Sequence, residues 1–423
     1  MYILLAIATV AIVIWLLRPK DKSAAPSLYF RQLATELARA RVAKPVLVID
    51  RQRLMHNIDA VSDHARSIGM DVRIAMKSLP CDPLLDTIAE RLGSNKMMLF
   101  SIDYLKTICL RTEYVDVLLG KPMPAIAVAD FYAGRGGHAY HTGTVADIQW
   151  LIDNLQRLRE YAAIAEQQQL PLRINLELDI GIRRGGFDDL PALRAALEFI
   201  KEHPLLEFTG FMGYEKHVYY VAFTDSSRQR ALQDCLSFYQ SCKDIAVAVF
   251  GDALRNGEFT WNAAGSVTYQ MYRNNTIANE LTIGSCFVKP AHFDTKTLSM
   301  HEPALYIATP VLKATPEFLV PGLPWLARLV SMWSVNRRRS IFIFGGLWDA
   351  VPVAPAGLAK NNFYGNSSNQ ECYAGADNIA LQPGDYVFFR PNESEALITQ
   401  FNEILVYDKG DIVDTWQPLP PAP

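Results

Sequence analysis

The chain lacks a basic excess: 41 Lys and Arg stand against 44 Asp and Glu, a formal charge of -3. Without surplus cation for a phosphate backbone, nucleic acid is excluded as an expected partner. Cysteine is sparse. The six cysteines, at 81, 109, 235, 242, 286 and 372, form no CxxC pair and no zinc-ligand spacing, which excludes a disulfide scaffold and suits free thiols in a reducing compartment. A GxGxxG dinucleotide fingerprint is also missing. The nearest approach, Gly-Arg-Gly-Gly at 134–137, has the wrong spacing and does not lie between a strand and a helix, so it reads as a loop. Half of the 423 residues are hydrophobic and 20% are charged, enough for a large core and too apolar for disorder.

Charge is absent from Met1 to Leu17, an apolar run followed at once by Arg18, Lys20 and Lys22. That run is just long enough to cross a hydrocarbon core. With the basic flank on its C-terminal side it predicts an N-terminal transmembrane helix, residues 1–22, anchoring the protein in a membrane with its body on the cytoplasmic side. A cleaved signal peptide, which carries its charge in front, and a buried helix are the alternatives. Residues 23–43 would form a linker or helix.

From 44 to 290, short β-branched runs alternate with helical patterns. Strand candidates are Val46 to Ile49, Val72 to Met76, Met97 to Phe100, Asp116 to Leu119, Leu172 to Leu178, Phe208 to Met212 and Phe259 to Asn262. Helical periodicity covers Leu54 to Ile68, Pro83 to Leu92, Val145 to Gln168, Leu190 to His203 and Ser226 to Phe250. About eight βα units predict an α/β fold of (β/α)8 TIM-barrel type. From 291 to 423 the texture changes to apolar runs broken by Pro, Gly and Asn, with Ala304 to Val311, Ser340 to Phe344, Asp385 to Phe389 and Glu403 to Tyr407 as strands. This predicts a smaller C-terminal β domain. Within it, Pro324 to Arg339 reads as an amphipathic helix with a basic end, lying on lipid headgroups or packed on its own domain.

Lys77 closes the strand candidate Arg73-Ile-Ala-Met-Lys77, and so falls at the carboxyl end of a barrel strand, where active sites of this architecture are assembled. A lysine there is costly to desolvate unless its pKa falls, which is how Schiff-base lysines become reactive. The surrounding text is ordered. Lys44-Pro45, Asp50, Asn57 and Arg73 precede Lys77; Glu177-Leu-Asp179-Ile-Gly181-Ile-Arg-Arg184-Gly-Gly186 follows; then come Gly210-Phe-Met-Gly213-Tyr214-Glu215, Asn262-Ala-Ala-Gly265-Ser266-Val-Thr268 and Glu280-Leu-Thr-Ile-Gly284-Ser285. In this order the chain resembles the fold type III pyridoxal-phosphate enzymes, specifically the D-threonine aldolase and D-serine dehydratase branch related to alanine racemase, over about residues 43–415.

That resemblance implies pyridoxal 5'-phosphate as cofactor, a small-molecule amino acid as substrate, and a homodimer. Lys77 would hold the cofactor as a Schiff base. Arg184 would face the pyridine nitrogen and leave it unprotonated; the alternative is an ion pair with Asp179. Gly265, Ser266 and Thr268 would present N–H groups and hydroxyls to the phosphate, although Ala264 and Val267 replace a glycine and a threonine of the usual loop. Tyr214 would donate to the phosphate or the ring hydroxyl, or simply pack. Asn57 and Glu280 have less defined places.

The branch usually carries a His-x-Cys or His-x-Asp metal pair after Pro-Asn. Here the stretch is Pro391-Asn392-Glu393-Ser-Glu395, and two glutamates at i and i+2 on one face of an extended segment could share a divalent cation such as Mg or Mn, or form a solvated acidic loop. Glu371 stands where the branch has an acid and histidine pair, without the histidine. A retained metal favours a lyase acting on D-configured β-hydroxy amino acids, as aldolase or deaminating dehydratase. A lost one favours a racemase, with His217 as a second base or merely a solvent-facing loop histidine. A non-catalytic cofactor-binding membrane scaffold is the third reading.

Overall fold

The computed structural model describes residues 17–134, 140–221, 223–251, 254, 257–273 and 277–422. They fall into two compact units, one drawn from the chain up to Gln52 with Pro290–His292 and Pro303–Pro418, the other from Arg53–Lys289, Phe293–Glu302 and Leu419–Pro423. The first strand, β1 (Val46–Asp50), belongs to the former. Eight strands follow: β2 (Asp71–Ala75), β3 (Lys96–Leu99), β4 (Asp116–Leu119), β5 (Gln149–Ile152), β6 (Leu172–Leu178), β7 (Leu206–Gly213), β8 (Thr260–Ala263) and β9 (Glu280–Ile283). They pair in parallel and close into a barrel, β9 returning to β2. The barrel expectation is met, but with a shifted start, because β1 was expected as its first strand.

Local chemistry explains the connecting helices. Leu155–Gln168 starts where the Asn154 side chain accepts from the Arg157 N–H at 2.9 Å, and Asp225–Phe250 starts on a reciprocal Thr224 and Ser227 capping box. Asp82–Leu92 begins with a proline in its first turn and ends on Gly93 in the left-handed region.

The barrel floor is polar. Arg73 on β2 is fully buried; its Nε and Nη2 donate to Glu280 at 2.6 and 3.0 Å, and its Nη1 donates to Asp116 Oδ1 at 3.0 Å and to the carbonyls of Met97 and Asp116. Lys96 stands 3.2 Å from Glu280. Lys96, Asp116 and Glu280 open β3, β4 and β9, and Arg73 is the third residue of β2, so the amino-terminal part of the barrel is plugged by ion pairs whose mutual hydrogen bonds offset the desolvation of each charge.

In the other unit, β10 (Leu305–Thr315), β11 (Arg339–Ile343), β12 (Ala350–Ala354), β13 (Ala359–Lys360), β14 (Cys372–Gly375), β15 (Tyr386–Pro391), β16 (Ile404–Asp408) and β17 (Asp411–Trp416) form a nine-stranded sheet with β1. β1 lies between β10, antiparallel, and β16, parallel. Helix Leu28–Arg39 packs Leu33 and Leu37 on this sheet beside Val46, Val48 and Phe388.

The expected membrane anchor is corrected. Among the described residues no helix is long and apolar enough to cross a membrane, and the run at 1–16 lies outside them. Its basic flank is engaged with protein. Arg18 donates from Nε and Nη2 to the carbonyls of Trp333 and Met332 at 3.1 and 3.0 Å, and Asn336 bonds the Lys22 N–H and the Lys20 carbonyl. The helix predicted over 324–339 stops at Trp333, and Arg339 opens β11.

Candidate active site

Strand alternation puts Arg73 and Ala75 on one side of β2, Arg73 lies inside the barrel, and Lys77 follows directly at the carboxyl end of the strand. β2 passes there into a tight turn, Met76–Ser78. Lys77 is half-buried, its Nζ 4.8 Å from the centroid of the Phe100 ring at the end of β3. That ring is seated by an absent side chain, since a Cβ on Gly120 would come within 2.4 Å of it.

The loop after β8 approaches this turn. Ser266 Oγ accepts the N–H groups of Gly284 and Cys286 at 3.3 and 3.2 Å, and Ser285 Oγ donates to Ser78 Oγ at 3.0 Å. Residues next to Lys77 are thereby tied to the ends of β8 and β9. With both lone pairs of Ser266 Oγ occupied, its own hydrogen is what it can offer an anion. The N–H groups of Ser266, Val267 and Ser285 have no backbone acceptor among the described residues. This cradle fits a phosphate.

Thr268 does not join it. Its hydroxyl donates to Glu215 Oε1 at 2.5 Å and accepts the Gly265 N–H at 3.1 Å, so the Thr268 hydroxyl and the Gly265 N–H, both expected to face the phosphate, have protein partners here. Glu215 is fully buried, and its Oε2 accepts the Ala264 N–H at 3.1 Å. Burial raises its pKa against the pull of these donors.

Gly265 has a steric reason. A Cβ there would lie 2.5 Å from the Tyr214 ring, so the tyrosine packs closely against the loop. The Arg184 guanidinium carbon is 5.5 Å from the same ring centroid, a cation–π distance. Arg184 therefore meets Tyr214, and the Asp179 carboxylate instead accepts the N–H groups of Gly181 and Arg183. Gly181, Gly185 and Gly186 all have positive φ (119°, 151° and 101°), which is why that turn is glycine-rich.

Two further groups border the site. Glu177, on β6, is driven up to about 7 by burial, against the lowering effect of Arg184 and with the help of Asp153 and Asp179. His217 is partly buried rather than solvent-facing: its Nε2 is 3.8 Å from Cys235 Sγ, and a Cβ on Gly181 would meet it at 2.8 Å. Burial lowers its pKa. Sequence reasoning quoted Glu177 and Glu215 without a role; the signal for Glu215 was its place directly after Tyr214.

The metal expectation loses its geometric premise. β15 ends at Pro391 and Glu395 opens a helical turn, Glu395–Ile398, so Glu393 and Glu395 do not share a face of one extended segment. Glu393 faces His292 Nδ1 at 3.4 Å, and no three His, Cys, Asp or Glu side chains among the described residues converge as a metal site. Glu371 is buried, paired with Lys360 and accepting from the Tyr373 hydroxyl at 3.0 Å.

The family described as alanine racemase, N-terminal domain, matches residues 49–272. No curated protein matches the chain. Among solved structures it is similar to D-threonine aldolase from Filomicrobium marinum, at TM-score 0.67 and 16% identity over 89% of this chain and 96% of that one. It is also similar to D-threo-3-hydroxyaspartate dehydratase from Delftia sp. HT23, at 0.68 and 15% over 89% and 97%. For alanine racemase from Bacillus anthracis the values are 0.64 and 12% over 89% and 98%. At such identities the likeness establishes the fold, whereas the family match spans more than half of the chain: the chain belongs to the alanine racemase N-terminal domain family.

Proposed function

We propose that the protein is a pyridoxal-phosphate-dependent lyase acting on a D-configured β-hydroxy amino acid by C–C or C–N cleavage. The observation that carries this reading is the meeting, at one barrel mouth, of the Lys77 turn with the Ser266 and Ser285 cradle. The substrate class is supported by the likeness to D-threonine aldolase and D-threo-3-hydroxyaspartate dehydratase. A small-molecule amino acid as substrate and a pairing of two copies are what the family resemblance adds.

When bound, pyridoxal phosphate supplies an aldehyde that captures amines and weakens bonds at the amino acid α-carbon. Lys77 offers the amine. The Ser266 hydroxyl and the N–H groups of Ser266, Val267 and Ser285 would hold the phosphate, and Tyr214 lines the loop that carries them. Arg184 contributes a permanent cation; its assignment to the ring nitrogen rests on its place in the motif. Glu177, titrating near neutrality, is able to hold or release a proton. Glu393 and Glu395 do not lie together on one extended segment, as the expected two-carboxylate cation site required.

Racemisation is the second reading, favoured by the lost common face of Glu393 and Glu395 and by His217, which packs on Gly181 and whose pKa burial lowers. Incubating the full chain, supplied with cofactor, with D-threonine and D-serine, with and without EDTA, separates these. Glycine with an aldehyde, or a keto acid, is the expected result. The L-isomer alone would make the protein a racemase, and no product across a broad amino-acid panel would make it a scaffold.

A further inference from the structure

We propose that Glu215 is a positioning residue that locks the 264–268 loop in its anion-receiving form, so that affinity for the phosphate of the cofactor, and not for its ring, depends on this carboxylate. The inference rests on the reading of that loop as a phosphate site.

Glu215 is a wholly buried acid with no ion pair among the described residues; its carboxylate accepts two hydrogen bonds from one loop, and the Tyr272 hydroxyl also faces it. Oε1 takes the Thr268 hydroxyl, Oε2 takes the Ala264 N–H, and the Thr268 oxygen passes the hold on to the Gly265 N–H. Ala264 needs the hold, because its φ of 69° lies where residues with a side chain are strained. Three of the five loop residues are thus fixed through one carboxylate. The N–H groups at Ser266 and Val267 have no backbone acceptor among the described residues. A negative charge beside an anion site does not attract the anion. Its benefit is preorganisation: the N–H groups are already oriented, and binding carries less ordering cost.

Glutamine at 215 keeps the size but removes the charge and turns one acceptor into a donor, which either opposes the Ala264 N–H or obliges the Thr268 hydroxyl to turn and accept, losing the bond it donates. The test compares the apoprotein of the full chain with Glu215→Gln and Thr268→Val, titrated by absorbance with pyridoxal 5'-phosphate and with pyridoxal, which has the ring and aldehyde but no phosphate. Glu215→Gln should raise the Kd for the phosphorylated ligand about tenfold, the scale of one lost charge-assisted hydrogen bond, with the Kd for pyridoxal within about twofold. Thr268→Val should do the same and Thr268→Ser should restore it, which keeps the test available if Glu215→Gln does not fold. Equal weakening of both ligands, or no change in either, would overturn the inference. A wild-type protein that holds pyridoxal as tightly as its phosphate would instead sink the underlying reading of the loop, and the inference with it.

Discussion

Glu177→Gln gives the most quantitative check on the barrel mouth, because it needs no cofactor. The ordinary glutamate value is 4.5 and burial places this one at about 7. Between those values the folded chain keeps a proton that the unfolded chain has released, so stability falls as pH rises through the interval. At about 1.4 kcal/mol per tenfold change in proton affinity, the full effect above pH 7 is about 3 kcal/mol, and about 2 kcal/mol after allowing for solvent screening at the partly exposed edge of the side chain. Glutamine has the same shape and never ionises. Urea denaturation followed by tryptophan fluorescence should therefore find the two proteins nearly equal at about pH 5 and the variant more stable by about 2 kcal/mol at about pH 8. Parallel pH curves, or a variant weaker than wild type at about pH 8, would mean that Arg184 outweighs burial and that the group is an ordinary ion-paired carboxylate.

Three other outcomes follow from the same geometry. Arg73→Met leaves Glu280 buried with Lys96 as its one cation and the Asn262 amide as a neutral donor, and should cost about 3–5 kcal/mol in a urea titration, with Glu280→Gln in the same background recovering part of it. Gly265→Ala drives a methyl into the Tyr214 ring and should weaken cofactor binding, measured by absorbance, while Tyr214→Ala added to it should relieve the clash. Asn154→Ala removes the cap of helix Leu155–Gln168 and should cost about 1 kcal/mol in thermal unfolding.

Much of this was legible in the sequence, and the failures have physical causes. Seven of the eight barrel strands have β-branched or apolar runs that periodicity or the family order picks out. The missing one, β5, was absorbed into a helix predicted over 145–168, because its four residues lie between the helix Thr142–Ala146 and the helix that Asn154 caps. β1 was assigned to the wrong sheet because an unbroken Val-Leu-Val-Ile run suits any strand buried on both faces. The expected place of Thr268 on the phosphate came from a motif that names residue types without saying where a hydroxyl points; the fold adds that the buried Glu215 accepts from that hydroxyl. The apolar N-terminal run met the length for a span, but nothing in it shows that Arg18 would bond the end of helix Pro324–Trp333.

The most direct measurement is reductive labelling. Borohydride treatment of the full chain loaded with pyridoxal phosphate, followed by proteolysis and mass spectrometry, should fix one phosphopyridoxyl group on Lys77 and none on the Lys77→Ala variant. A label on another lysine, or an unmodified Lys77 in protein that shows cofactor absorbance, would contradict the account at its centre.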